Sequence, residues 1–208
     1  MRARIIAMAA CAMAGLSACG YSSLQRQDEN VKATWGKVAS QYQRRCDLIP
    51  NLVRTVKGIA TQEQQILVEV TQACARAGSI QATPELLNNP EAFARYQAAQ
   101  GQLSQALKGL FAAAEAYLQL RSDANFRDLQ ARLEDTENGI TAARTRYIDA
   151  VRDYNITVRS FPTSLTARLY DFEVKPNFSL PPQGTPPSGP RAPPGGSSSR
   201  PQPQAANR

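Results

Sequence analysis

Apolar residues recur at three- and four-residue spacing along four stretches of the chain, the period of a helix with one buried face. Val31, Trp35, Val38 and Tyr42 define the first, from about Ser22 to Asp47. Leu52, Val56, Ile59, Ile66, Val70 and Ala73 define the second, from Pro50 to Ala77. The third opens at Asn89-Pro90-Glu91, a capping residue followed by a first-turn Pro and an acid. Its seam is Phe93, Tyr96, Leu103, Leu107, Leu110, Ala114 and Tyr117. The fourth starts near Ser122-Asp123 and carries Phe126, Leu129, Leu133, Ile140, Ala143, Tyr147, Ala150, Tyr154 and Phe161, with Pro162 ending it. Stepping of this kind over many turns predicts an all-α fold, an antiparallel up-and-down bundle with coiled-coil-like seams.

Pro50 is ambiguous. The seam phase runs through it, from Val38 and Tyr42 to Ile49, Leu52 and Val56. A helix continuous from Ser22 to Ala77 would, however, exceed roughly 80 Å at 1.5 Å per residue and leave half its apolar stripe uncovered. A break at Asp47–Pro50 is therefore favoured. Gly78, Pro84 and the Asn pair mark residues 78–88 as a loop.

Beyond Phe161 the chain reads as an irregular but packed extension, because Leu165, Leu169, Tyr170, Phe172 and Phe178 are too apolar to leave in water. Residues 179–208 form a Pro/Gly/Ser-rich tail. From Pro181 on it holds nine Pro, four Gly and four Ser. With no large apolar side chain to bury, it is predicted to be disordered.

The first residues carry an address. Arg2 and Arg4 precede an apolar run from Ile5 to Leu16, then Ser17-Ala18-Cys19. The run is shorter than the roughly 20 residues that span a bilayer, and its basic start and small-residue exit make residues 1–18 a signal peptide. Leu16-Ser17-Ala18-Cys19 resembles a lipobox, which predicts cleavage and lipidation at Cys19. Two or more acyl chains hold a protein to a membrane stably, where one does so only marginally. Gly20 after the cysteine favours an outer membrane where the host has one.

The charge of +7 belongs mostly to the ends. Without the signal and tail arginines the body has 19 basic against 17 acidic residues with alternating signs. No basic face for nucleic acid emerges. With no histidine, triads, HExxH helices and His-ligated zinc or iron are excluded. Cys46 and Cys74, taken as about 35–40 Å apart along helix, are expected to be separate, small buried side chains.

Several polar residues interrupt this pattern. Glu63 falls on a seam between Ile59 and Ile66, where a charge needs a partner. A structural ion pair is favoured there over a ligand. Asp47 and Asn51 flank Leu48-Ile49-Pro50 and read as caps of the helix starting there. Glu134, Glu137, Asn138 and Arg144 gather on the fourth helix, with Glu137 and Arg144 two turns apart. Paired carboxylates can bind a divalent cation or act as acid and base, but di-metal bundles use Glu-x-x-His pairs absent here. An interhelical salt-bridge network is favoured. Tyr42, Tyr96, Tyr117, Tyr147 and Tyr154 occupy seam positions and read as core residues with the hydroxyl at the rim.

Arg44-Arg45-Cys46-Asp47-Leu48-Ile49-Pro50-Asn51-Leu52-Val53 resembles the signature of the LemA family. Gly20-Tyr21, Val56-Lys57-Gly58, Glu63, Leu129-Gln130, Glu137-Asn138, Ala143-Arg144, Tyr154-Asn155 and Phe161-Pro162 extend the resemblance over about Gly20 to Phe178. It implies an N-terminally anchored helical domain over 19–178, exposed outside the cytoplasm, and no established activity. The position of Cys46 commonly holds a larger residue in such proteins. Tyr117-Leu118-Gln119-Leu120 lacks an expected Pro, which predicts a longer third helix.

Three functions compete. A non-enzymatic envelope bundle, anchored through Cys19 and binding an envelope protein or cell-wall material, is favoured by the anchor and the lack of a catalytic set. A small-ligand carrier and a carboxylate-based hydrolase are the alternatives. No motif calls for a cofactor or a metal.

Overall fold

A computed structural model describes the backbone of residues 2–59 and 64–178, and the side chains of residues 20–58 and 64–178. Among them are six α-helices: α1 (Arg2–Ile59), α2 (Gln64–Ser79), α3 (Pro90–Ala114), α4 (Leu118–Ser122), α5 (Ala124–Arg159) and α6 (Thr163–Leu169). A 3-10 segment, Pro84–Asn88, buries Leu86 and Leu87 within the loop before α3. Glu63, the side chains of residues 1–19, where the signal peptide and lipidation site are expected, and the tail from residue 179 lie outside the described residues.

Local chemistry starts α3 and α5 where the sequence indicates. The Asn89 side chain accepts from the Ala92 amide at 3.0 Å, and Asp123 from the Phe126 amide at 2.8 Å. Each satisfies one of the amides that a helix start leaves unpaired.

The first boundary departs from expectation. Helix α1 continues through Pro50 to Ile59, and α2 begins at Gln64. Pro50 lies on the exposed side, while Ile49, Leu52 and Val56 keep the buried stripe in phase. The stripe has cover because α2 returns along it. Lys57 and Val53 share a cleft with Gln64, Leu67 and Val68, and Cys46 meets Cys74, so α1 and α2 are antiparallel.

Helix α5 also runs antiparallel to α1, with Trp35 against Tyr147 and Arg45 against Glu137. Helix α3 runs parallel to α1, since Trp35 packs on Phe93 and Arg45 reaches Gln100 and Ser104. The four long helices are thus an up-down-up-down bundle. The third does not run on: α3 stops at Ala114, and α4 follows as a separate turn that buries Leu120.

The C-terminal extension is partly helical and only partly buried, which corrects the sequence expectation. Phe178 packs among Trp35, Phe93 and Tyr147. The strap before it is held by α5: the Asn155 amide donates to the Lys175 carbonyl at 2.9 Å and accepts from its N–H at 2.8 Å. The Tyr147 hydroxyl donates to the Pro176 carbonyl. By contrast Phe161, Leu165, Leu169 and Tyr170 are 81%, 62%, 73% and 55% exposed. Helix α6 lays Thr166 and Ala167 on the bundle and turns Leu165 and Leu169 outward, because seven residues have only one face to bury.

Candidate functional site

Two apolar cores fill the bundle. One gathers Leu24, Val31, Trp35, Val38, Tyr42, Phe93, Tyr96, Ile140, Tyr147 and Phe178. The other gathers Ile49, Leu52, Val56, Val70, Leu103, Leu110, Phe126 and Leu133. Between them, on three different helices, lie buried Arg45, Gln100 and Thr136. Each keeps the heptad step of its helix: Val38, Arg45, Leu52 on α1; Phe93, Gln100, Leu107 on α3; Leu129, Thr136, Ala143 on α5. Seven-residue spacing holds each at the seam, so the polar layer is built into the packing pattern.

Arg45 is its centre. One terminal nitrogen of the guanidinium donates to Ser104 Oγ at 2.7 Å and to Glu137 Oε2 at 3.0 Å. The other donates to Gln100 Oε1 at 2.7 Å and to the Gln100 carbonyl at 3.1 Å. The guanidinium also sits 5.2 Å from the Tyr42 ring centroid, close enough for cation–π attraction. Thr136 turns its hydroxyl to the Arg132 carbonyl at 2.7 Å.

The surrounding tyrosines are held neutral. Burial raises the Tyr42 phenol, against the pull of Arg144 and Arg45, and burial raises Tyr96. Removing water penalises the phenolate, so these groups are hydrogen-bonding and packing residues at ordinary pH. Tyr154 departs from the rim pattern: its hydroxyl is buried without a hydrogen-bond partner, and burial pushes its pKa up to about 12.

The structure redistributes the residues singled out from sequence. Glu137 joins an interhelical ion pair, but its partner is Arg45, which sequence reasoning passed over. A charge on an otherwise apolar heptad was the available signal. Arg144 instead stacks its guanidinium 4.4 Å from the centroid of Phe178. Asn138 is exposed. Glu134 is exposed and accepts from Gln130 at 3.3 Å, whereas Glu137 takes Arg45 as its partner. Asp47 and Asn51 are not caps, because no helix begins there. Asp47 accepts from Gln43 and Asn51 from Arg54 on the exposed side of α1. Among the described residues no group of three or more Cys, Asp or Glu could hold a metal ion.

The model of the LemA family matches residues 34–188. The chain belongs to the LemA family. A comparison with curated proteins finds no match. The LemA match takes in Arg45, Gln100, Ser104, Thr136 and Glu137, and with them the whole polar layer. Cys19 and Gly20 precede it.

At the other end of the fold, Gly20 packs on α6: a Cβ there would meet Thr166 Oγ1 at 3.3 Å. Tyr21 packs against Tyr170 with ring centroids 4.7 Å apart and planes tilted by 54°. Phe161, Leu165, Leu169 and Tyr170 are thus exposed apolar residues on and beside the short helix that meets Gly20. Arg159 and Arg168 are exposed on the same segment. Among the described residues, no helix is long and apolar enough to cross a membrane.

Proposed function

We propose that this LemA-family chain is a non-enzymatic cell-envelope module, anchored by lipid on Cys19, that stands on the membrane and offers its bundle to an envelope protein or cell-wall partner. The carrying observation is that α6, the helix whose Thr166 packs against Gly20, exposes Leu165 and Leu169. Acyl chains on Cys19 would enter the bilayer one residue before Gly20, which packs on the same short helix that exposes Leu165 and Leu169. An exposed apolar patch of this kind marks an interaction surface, and next to a lipid anchor the fitting partner is the headgroup–acyl boundary. Arg159 and Arg168 suit anionic headgroups.

The opposite end reaches out. From Gly20 to Ile59, α1 rises about 58 Å at 1.5 Å per residue, enough to carry its far end well clear of the surface. The polar residues support an interaction role: Glu134 is exposed, Glu137 is paired with Arg45, and Arg45 is enclosed by its own partners.

Trp35 is the sole tryptophan and is buried, so it gives a constant background for placing a second one. Leu169→Trp in the lipidated protein, reconstituted into vesicles with brominated lipid, should be quenched. Val68→Trp, on the exposed surface of α2, should not be. Equal quenching at both positions, or none at either, would remove the seating on the membrane.

A further inference from the structure

The Sγ atoms of Cys46 and Cys74 lie 2.6 Å apart. Unbonded heavy atoms settle at roughly 3.5–4.0 Å, whereas a covalent S–S bond is about 2.05 Å. The approach is symmetric, since each sulfur is also 3.9 Å from the other residue's carbonyl oxygen. The structure holds both residues as thiols. It also overturns the expectation from sequence that helix length keeps them apart. With α1 ending at Ile59 and α2 starting at Gln64, Cys46 lies 13 residues before the end of α1 and Cys74 ten residues after the start of α2. The antiparallel pairing then brings the two positions level. Both are half-buried, and Cys46 lines a cleft of about 390 Å³ with Tyr42, Ala77 and Ile80.

We propose that Cys46 and Cys74 form an intramolecular disulfide that staples α2 to α1 beside the Arg45 layer. The oxidant is a disulfide, either a thiol–disulfide oxidoreductase or a small-molecule disulfide such as oxidised glutathione. One cysteine loses its proton and its thiolate attacks the donor, forming a mixed disulfide and releasing one donor thiolate. The second cysteine, deprotonated in turn, attacks the sulfur of the first and releases the other donor thiolate. Two electrons pass to the donor, and the two protons end on its thiols or in solvent. Burial raises the Cys46 thiol, which makes thiolate scarce once the helices have packed. Exchange therefore belongs to folding, before α2 closes on α1.

The setting in which such a bond persists is outside the cytoplasm, and in that respect the inference rests on the envelope reading above. The pairing itself rests on geometry alone. The test is a peptide map of the full chain, alkylated under denaturing conditions without reductant, in two preparations. One is isolated from the envelope, and the other is unfolded, reduced and refolded with oxidised glutathione. A peptide pair joined through Cys46 and Cys74 is expected in both. Free, alkylated cysteines after refolding with glutathione disulfide would overturn the pairing. A bond in the refolded sample but not in the envelope sample would support the pairing and count against the location. Closing a loop of this length should raise the melting temperature by roughly 7–14 °C over the reduced protein. Cys46→Ser and Cys74→Ser should each melt with the reduced protein, and added reductant should not lower them further.

Discussion

Arg45 and Glu137 are joined at 3.0 Å across α1 and α5, yet their surroundings are unequal: the Arg45 side chain is 1% exposed and the Glu137 side chain 53%. The arginine has given up its water entirely, while the glutamate keeps much of its own. The pair thus places the counter-charge at the rim of the bundle and the cation in its middle. Such a layer adds little net stability but penalises any helix register that separates its members.

Loss of the carboxylate should therefore matter more than its exposure suggests. Glu137→Ala leaves Arg45 buried with neutral partners only, and a loss of about 3 kcal/mol is expected, the low end for breaking a buried pair. Adding Arg45→Met should recover most of that loss, because the stranded charge is gone. Urea unfolding of both single variants and the double variant closes the cycle. Purely additive losses would show that the two residues are not coupled.

Pro50 lies inside a continuous α1, where it removes a backbone hydrogen bond and crowds the preceding turn. Pro50→Ala should stabilise the fold by about 1–3 kcal/mol. If a helix began at this point, Pro would suit its first turn and the same change would be neutral or harmful. Chemical denaturation distinguishes the two by sign.

Phe178 anchors the C-terminal strap in the core shared by Trp35, Phe93 and Tyr147. Phe178→Ala should cost about 3–5 kcal/mol, the range for deleting a buried aromatic, and should shift the emission of Trp35 to the red. Unchanged stability and emission would mean that the strap does not pack there in solution.

Alkaline pH should unfold the chain through its buried tyrosines. Burial raises the folded-state pKa of Tyr42, Tyr96, Tyr147 and Tyr154 above the ordinary value of 10.0. A group with a raised folded pKa contributes stability that is fully present below its unfolded pKa and declines as pH rises towards the folded one. For Tyr154 that window runs from 10.0 to about 12. The melting temperature should fall across it, with tyrosinate absorbance from these four rising together with loss of helix. Ionisation of the four while the helical signal stayed intact would contradict their burial.

Much of the fold was legible because local chemistry marks it. Asn89-Pro90 and Asp123 cap α3 and α5 where they should, and the apolar seams predicted most of the two cores. The α1–α2 boundary was not. Pro50 is a strong local signal for a break, and it outweighed the seam phase that passed through it correctly. The cysteine error has its own source: it equates length along helix with distance in space, for one helix or a hairpin alike, whereas an antiparallel pair brings positions far apart along the chain level. The exposure of Leu165 and Leu169 was illegible for a different reason: apolar character does not state which surface will cover it. Arg45 was missed because a charge on a seam reads as an interruption, whereas three polar heptad positions on three helices make a layer.

Mass spectrometry of the N-terminal peptide from the membrane-extracted protein tests the anchored-envelope account most directly. The account predicts a mature chain beginning at Cys19 with its side chain and amino group acylated, and Cys19→Ser should abolish both the processing and the membrane fraction. A chain that begins elsewhere with Cys19 unmodified, or a Cys19→Ser variant that is processed and partitions like the parent, would contradict it.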